Sequence, residues 1–280
     1  MAKRWLITGA SGLLSDYLIE ACSAGGDVIS TARSSGDRRC DLTDKAAVRA
    51  LLAETLPDVV VHAAGLTDVD RCEREPDEAR AVNRDTAAHL VAGLPASARI
   101  VFVSTDQVYP DTWGPHAEQP VAPVNVYGRS KLEGEQAVQR HPGALILRTN
   151  FFGASRRTSR ASLSDFVIRS LTSRQHPTFF SDLLFSPLHM TTLSELIVEM
   201  AERGIAGVFN AGCRDGASKG DFALAVARHK GLQTETAHIG SSAVMPSRAP
   251  RPKDMRMDVR RIERALNRAM PTLEQEVLKL

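Results

Sequence analysis

Residues 4–15 of this 280-residue chain read RWLITGASGLLS. The apolar start of this stretch is typical of a buried strand, and its leucines begin a predicted amphipathic helix over residues 12–24. A strand, a glycine turn and a helix in this order are the context that a dinucleotide-binding fingerprint requires. Gly9 and Gly12 would let the backbone approach a pyrophosphate at the helix N-terminus, although Ser15 stands in place of the third glycine. An ordinary glycine turn is the alternative interpretation.

Strands and helices alternate as far as residue 148. Further strands are predicted at residues 27–31, 58–62, 99–103 and 144–148, and further helices at residues 45–55, 76–92 and 127–140. Such alternation predicts a parallel sheet with right-handed crossovers. The predicted fold class is therefore α/β, a Rossmann-type doubly wound parallel sheet with a smaller C-terminal substrate-binding lobe.

The pattern loosens after residue 153. Helices are predicted at residues 163–173, 191–203, 218–230, 259–267 and 272–280, with a strand at 208–210 and helix caps at Thr192 and Ser218. We expect a dinucleotide-binding domain over residues 1–153, to which part of 189–211 returns. Residues 154–188 and 212–280 would mainly form the substrate-binding lobe. The proline-rich loop at residues 110–126 is expected to border the cleft, because loops of this length are often functional.

Tyr127 and Lys131 are four residues apart in a predicted helix and therefore share one face of it. A nearby ammonium group lowers the pKa of a phenol, which would bring Tyr127 closer to acid–base work at neutral pH. Thr105 follows the predicted strand at 99–103, at the edge where open α/β sheets bind ligands. It is placed to face a substrate carbonyl beside Tyr127, and capping of a turn is its other possible role.

The end of the second predicted strand bears on the choice of cofactor. An NAD-selective site usually carries an acid there, whereas this chain has Arg33 and no acid in residues 31–35. An arginine can pair with the 2′-phosphate of NADP(H). We therefore predict NADP(H), with NAD(H) possible because Asp37 lies a little further on. A solvated loop residue is the alternative interpretation of Asp37.

The first half of the chain resembles the extended short-chain dehydrogenase/reductases. The matching pieces occur in the order of that family: Thr8-Gly9-x-x-Gly12, Asp41-Leu42, Ala63-Ala64-Gly65, Val82-Asn83, Ser104-Thr105-Asp106-x-Val108-Tyr109 and Tyr127-x-x-x-Lys131. Within the family, the chain is most similar to dTDP-4-dehydrorhamnose reductases and related nucleotide-sugar reductases, through residues 104–106, 147–151 and 248–252. Phe151 stands where those enzymes usually have tryptophan, and Ala249 interrupts their late Arg-Pro signature.

The resemblance implies roles for individual residues. Tyr127 would be the general acid, Lys131 its pKa partner and a ligand of the nicotinamide ribose, and Thr105 a hydrogen-bond donor to the reacting carbonyl. The cofactor would contact Gly9, Ser11, Gly12, Leu13, Arg33, Asp41, Leu42, Ala63, Ala64, Gly65, Asn83, Ser104, Tyr127 and Lys131. The substrate would contact Thr105, Asp106, Asn150, Phe151 and Arg251.

The implied activity is an NADPH-dependent reduction of a keto group on a nucleotide-linked deoxysugar. Two alternatives stay open. The first is an epimerase or a dehydratase on the same scaffold, although Gln107 stands where a dehydratase would want a second carboxylate. The second is a non-catalytic, cofactor-binding regulatory subunit, which would not need the complete set of Thr105, Tyr127 and Lys131.

Composition limits the other classes of protein. A net charge of +2 argues against nucleic-acid binding, and no apolar run approaches the length of a membrane span, so we expect no membrane contact. The four scattered cysteines and the unclustered histidines predict no metal site and a reducing, cytoplasmic location. A homodimer is possible. Two arginine clusters, at residues 156–160 and 248–256, are either solvated surface or a diphosphate site for the substrate.

Overall fold

The computed structural model describes residues 2–158, 160–244 and 248–280. The first part of the chain forms β1 (Lys3–Thr8), α1 (Ser15–Ser23), β2 (Gly26–Ala32), β3 (Arg38–Arg39), α2 (Lys45–Thr55), β4 (Val59–His62), α3 (Val69–Arg74), α4 (Pro76–Arg80), a π-helical turn (Ala81–Asp85), α5 (Thr86–Gly93), β5 (Arg99–Thr105), a 3-10 turn (Asp106–Val108), α6 (Val126–Val138) and β6 (Ala144–Thr149).

The second part is built from shorter elements. It forms β7 (Phe151–Phe152), α7 (Leu163–Thr172), β8 (Thr178–Phe180), β9 (Leu184–Phe185), β10 (Leu188–His189), α8 (Met190–Glu202), β11 (Gly207–Ala211), β12 (Ala217–Ser218), α9 (Lys219–Lys230), β13 (His238–Gly240), a 3-10 turn (Ser242–Val244), β14 (Asp254–Met255), α10 (Arg260–Leu266) and α11 (Leu273–Val277).

Seven strands form the main sheet, in the order β11-β6-β5-β4-β1-β2-β3. Every neighbouring pair in it is parallel. The direction of strand addition reverses between β1 and β4, which is the topological switch point of a doubly wound sheet. The predicted Rossmann-type α/β fold is confirmed.

Both faces of the main sheet are covered. In β5, Val101 and Val103 point into one core and Ile100 and Phe102 into the other, which is the alternation expected of a strand. The first core includes side chains of α1, α8 and α10, and the second those of α2, α5 and α6. A strand buried on both faces reads as a continuous apolar run, which is why these strands could be predicted.

Several helix boundaries differ from the prediction. Helix α1 begins at Ser15, because the turn after β1 extends further than the glycine pattern indicated. Helix α8 begins at Met190 and is capped by His189, whose ring nitrogen accepts from the Thr191 amide. The predicted cap at Thr192 is therefore wrong; this side chain lies within the helix and donates to Glu276 at 2.8 Å. The predicted cap at Ser218 is confirmed, with a reciprocal contact to Asp221.

A smaller core lies beside the main sheet. It is rich in aromatic side chains, with Phe152, Phe179, Phe185 and Phe222 all buried. Strand β11 pairs with β6 at the edge of the main sheet, and α8 packs against α1. Residues 190–211 therefore contact elements from the first 153 residues of the chain. Helix α10 also packs on β11 and not in the smaller core, as its buried Ile262 and Leu266 show. The division into two domains stays a prediction.

The loop between the 3-10 turn and α6 is held in part by β14 and the chain that follows it. The Gly114 amide donates to Asp254 at 2.9 Å, and His116 forms a bridge with Met257. None of the described residues that line the cleft comes from residues 110–125. The loop also contacts Gln107, which lines the cleft, through Asn125 at 2.9 Å, so its place at the border of the cleft stays a prediction.

Two further features of the described residues bear on function. All four cysteines are buried and unpaired. No group of three or more histidine, cysteine, aspartate or glutamate side chains in residues 2–158, 160–244 and 248–280 is arranged to hold a metal ion. In the same ranges, no helix is both long enough and apolar enough to cross a membrane.

Candidate active site

A cleft of about 470 Å³ lies at the carboxyl ends of β1, β4 and β5, where the strand order reverses. Open α/β sheets bind their ligands at this place. Most of the predicted site residues line it: Gly9, Ser11, Gly12, Leu13, Arg33, Asp41, Leu42, Ala63, Ala64, Gly65, Ser104, Thr105, Asp106, Tyr127, Lys131, Asn150 and Phe151. A second cavity of about 380 Å³ lies between α9 and α11 and contains none of them.

The glycine turn after β1 lies directly against the end of β4. Gly9 has a φ of +83°, and a Cβ there would lie 2.8 Å from the Ala64 amide nitrogen, so only glycine fits. The Ser15 hydroxyl lies 2.7 Å from the Gly12 carbonyl oxygen and 3.0 Å from that of Ala10. Ser15 therefore closes the turn with a hydrogen bond at the position that a third glycine usually occupies.

The end of β2 offers free hydrogen-bonding groups beside a cation. Arg33 is exposed and lines the cleft. Among the described residues, the Thr31 and Ser35 hydroxyls are buried without a hydrogen-bond partner. The Asp37 carboxylate instead accepts from the Ser30 amide at 2.9 Å and from its hydroxyl at 2.8 Å, and these bonds lower its pKa. An exposed cation in the cleft fits a phosphate group, and Asp37 is already engaged by Ser30.

The structure brings Thr105, Tyr127 and Lys131 into this one cleft. Asn125 caps α6 by accepting from the Gly128 amide at 2.8 Å, and so fixes where the helix presents Tyr127. The Thr105 hydroxyl accepts from the Gln107 amide at 3.2 Å and faces the Tyr127 hydroxyl. Thr105 therefore caps the 3-10 turn and also lines the site, so that both interpretations of this residue hold.

The protonation of Tyr127 differs from the sequence-based expectation. Burial raises the pKa of Tyr127, and the contact with Thr105 opposes this only in part. The Lys131 ammonium is directed at the Val103 carbonyl oxygen, 2.7 Å away, and lies 4.0 Å from the centroid of the Phe102 ring. Burial lowers the pKa of Lys131 to about 7. Burial therefore dominates here and Tyr127 keeps its proton at neutral pH, while the role of Lys131 as its pKa partner beside a bound cofactor stays a prediction.

Asp106 is a buried carboxylate next to Thr105. It accepts from the Asn150 amide group at 2.9 Å and from the Thr105 hydroxyl at 3.2 Å. Burial raises the pKa of Asp106, whereas the positive charge of Lys219 lowers it. Lys219 begins α9, with its Nζ 3.4 Å from the centroid of the Phe185 ring. The sequence gives no signal for Lys219, because only its place after the Ser218 cap sets it apart from a surface lysine.

Two predicted site residues do not line the cleft. Asn83 is buried behind Gly65, where its Oδ1 accepts from the Leu66 amide at 2.8 Å and its Nδ2 donates to Ser130 at 2.9 Å. Arg251 forms a two-pronged contact with Asp70 of α3, at 2.9 and 3.2 Å. The side chains of both residues are therefore engaged elsewhere, and their assignment to cofactor and substrate stays a prediction.

The sequence of this chain matches a known family over nearly its whole length. Residues 3–280 match the RmlD substrate binding domain. The chain belongs to this family. A dTDP-4-dehydrorhamnose reductase from Mycolicibacterium smegmatis is 33% identical over 90% of this chain and 77% of its own length. A probable low-salt glycan biosynthesis reductase from Haloferax volcanii is 30% identical over 98% of this chain and 96% of its own length.

Solved structures agree with the family match. The dTDP-4-dehydrorhamnose reductase from Bacillus anthracis, in complex with NADP, superimposes on this RmlD-family chain with a TM-score of 0.90. The two are 25% identical, and the match covers 99% of this chain and 98% of the other. The predicted resemblance to nucleotide-sugar reductases of the extended short-chain dehydrogenase/reductase type is confirmed.

Proposed function

We propose that this RmlD-family chain is an NADPH-dependent reductase of a keto group on a nucleotide-linked deoxysugar. The proposal depends on one observation above all: Thr105, Tyr127 and Lys131 line the same cleft as the glycine turn. The names of its relatives point to the same class of reaction, since those from Mycolicibacterium smegmatis and Bacillus anthracis are dTDP-4-dehydrorhamnose reductases.

The cleft suits NADP(H) at two separate places. Gly9 and Gly12 bring backbone close to where a pyrophosphate binds at the start of α1. Arg33, which lines the cleft at the end of β2, would hold the 2′-phosphate. NADP is also the dinucleotide bound in the related structure from Bacillus anthracis. When bound, this cofactor supplies the hydride for the carbonyl carbon.

The chain itself would supply the proton and stabilise the developing charge. Tyr127 stays protonated at neutral pH because burial raises its pKa, and it would donate that proton to the carbonyl oxygen. The Thr105 hydroxyl would hydrogen-bond the same oxygen as it gains negative charge. Asp106 and Asn150, which are hydrogen-bonded to each other, would contact the hydroxyl groups of the sugar.

Two arrangements of side chains weigh against the alternatives. Gln107 donates to Met255 and accepts from Asn125 at 2.9 Å, so it does not replace the second carboxylate that a dehydratase would need. A regulatory subunit has no need to keep Thr105, Tyr127 and Lys131 in one cleft.

The decisive assay incubates the purified chain with NADPH and a dTDP-linked 4-keto-6-deoxysugar. We expect one NADP⁺ for each keto group reduced. An isomerised sugar without net oxidation of cofactor, together with a dinucleotide that co-purifies, would instead indicate an epimerase. Failure to oxidise NADPH with a panel of keto-sugars, together with tight binding to a partner enzyme, would support the regulatory alternative.

Replacement of Arg33 tests the choice of cofactor. Arg33→Ala should weaken NADPH binding about tenfold or more, because charge-assisted bonds to a phosphate are strong, and should leave NADH binding nearly unchanged. Arg38→Ala is the matched control, since Arg38 lies nearby but is paired with Glu54 at 2.5 Å. Titration of each variant with both dinucleotides measures the effect. An equal loss for NADPH and NADH would contradict the assignment to the 2′-phosphate.

A cytoplasmic location and a homodimer stay predictions. A nucleotide sugar is the proposed small-molecule partner.

A further inference from the structure

The chain that leaves β7 crosses over to the glycine turn. We refer to residues 154–158 and 160 as the arginine segment. The Tyr17 hydroxyl of α1 donates to the Ala154 carbonyl at 2.8 Å. Arg157 donates through Nη2 to the Ala10 carbonyl at 2.8 Å and to the Ser15 hydroxyl at 3.1 Å, and forms an ion pair with Asp16. A segment that follows β7 in sequence therefore touches the glycine turn after β1.

Ser15 is the residue that makes this contact specific. Its hydroxyl closes the turn through Gly12 and Ala10 and also accepts from Arg157. Glycine, the usual residue at this position of the fingerprint, would offer no such acceptor. Ser15, which replaces the usual glycine, and Arg157 of the arginine segment therefore contact each other directly.

The three arginines of the segment differ in what neutralises them. Arg156 is paired with Glu20 at 2.7 Å and lies over the Tyr17 ring, and Arg157 is paired with Asp16. Arg160 is exposed and lines the same cleft as the glycine turn. Among the described residues it has no ion pair and no side-chain hydrogen bond. Its charge is therefore available to a ligand in the cleft.

We propose that Arg160 binds the diphosphate of the cofactor, and that Arg157 is a positioning residue that holds the glycine turn for the same group. This inference rests on the proposed dinucleotide site. A planar guanidinium group matches the geometry of phosphate oxygens, and the glycine turn in the same cleft offers amide donors to such a group. From the sequence alone, these arginines are either solvated surface or a site for the diphosphate of the sugar nucleotide. Arg157 contacts the glycine turn and Arg160 lines the cleft that contains this turn, which favours the cofactor instead.

Binding of four probes to the full chain tests the role of Arg160. Arg160→Gln should weaken NADPH and NADH by the same factor, about tenfold, because both carry the diphosphate. Binding of adenosine 2′-monophosphate and of dTDP should not change. Arg33→Ala should show the opposite pattern, with loss of NADPH and adenosine 2′-monophosphate alone. Arg156→Gln is the matched control, since it removes a neighbouring charge that Glu20 already neutralises.

Each other outcome has a definite meaning. Loss of dTDP binding with NADPH binding retained would assign Arg160 to the substrate and overturn the inference. Unchanged binding of all four probes would make it solvated surface, with the same consequence. A wild-type chain that binds neither dinucleotide would overturn the proposed function itself, and this inference with it.

A double-mutant cycle tests the role of Arg157. Ser15→Gly and Arg157→Gln should each raise the KM for NADPH several-fold, with kcat and the KM for the sugar nearly unchanged. Because part of each effect acts through the contact that the two residues share, the double variant should lose less affinity for NADPH than the sum of the two single losses. Arg157→Lys should restore part of the affinity through Asp16. If the losses of NADPH affinity were additive, Arg157 would not act through Ser15. If kcat fell in parallel with thermal stability, the role of Arg157 would be structural only.

Discussion

Tyr127→Phe should lower kcat by a factor of about 10² to 10⁴, the range in which general acids contribute. The substitution removes the proton donor and nothing else of the ring, which is buried against Cys72 and Ala79. Cofactor affinity and folding should therefore be retained. Stopped-flow oxidation of NADPH in the presence of keto-sugar, with circular dichroism of the same sample, would measure both.

Tyr109→Phe is the matched control for this variant. Tyr109 is fully buried, outside the cleft, and its hydroxyl accepts from Arg148 at 3.3 Å and donates to Asn210. Its loss should reduce the free energy of unfolding by about 1 kcal/mol and leave turnover nearly unaffected. Normal turnover by Tyr127→Phe would contradict the proposed mechanism, because Tyr127 is its proton donor and Thr105 only stabilises the carbonyl oxygen.

The parts of this site that the sequence predicted are those encoded by local patterns. Gly9 and Gly12 lie in one turn, and Tyr127 and Lys131 lie on one face of α6, so spacing alone indicates both features. The parallel sheet then brings them together, because its strands end at a common edge. Thr105 was predictable for the same reason, as the last residue of β5.

The features that sequence analysis missed depend on contacts between distant residues. The direction of the pKa shift at Tyr127 follows from burial and from the turning of the Lys131 ammonium towards Val103, neither of which appears in the spacing. Arg251 is engaged by Asp70, and Asp106 is influenced by Lys219. No pattern within the sequence pairs residues that far apart, so electrostatic roles needed the fold.

Lys131→Met should make the free energy of unfolding less dependent on pH. Lys131 is buried, and its pKa falls from an ordinary 10.5 to about 7 in the folded chain. Between these two values the unfolded chain binds the additional proton, so this lysine makes the wild type more stable as pH rises from about 7 towards 10.5. Below pH 7 the lysine is protonated in both states, and its destabilising effect is constant and largest. Methionine keeps the apolar stem and cannot titrate.

The stability of the variant relative to wild type should therefore rise as pH falls from about 10 to about 7, by an amount on the order of 5 kcal/mol, and then level off. The slope reports the whole difference between the charged and the neutral lysine, including the stronger bond that the ammonium makes to the Val103 carbonyl. Urea unfolding of both proteins across this range is the measurement. Lys230→Met, at an exposed position on α9, corrects for the change in net charge. If the difference in unfolding free energy between the two proteins stayed constant across this range, burial would not lower the pKa of Lys131. Lys131→Met should therefore be more stable than wild type at neutral pH and should also be inactive. The Lys131 ammonium destabilises the fold, but it lies at the place where catalysis requires it.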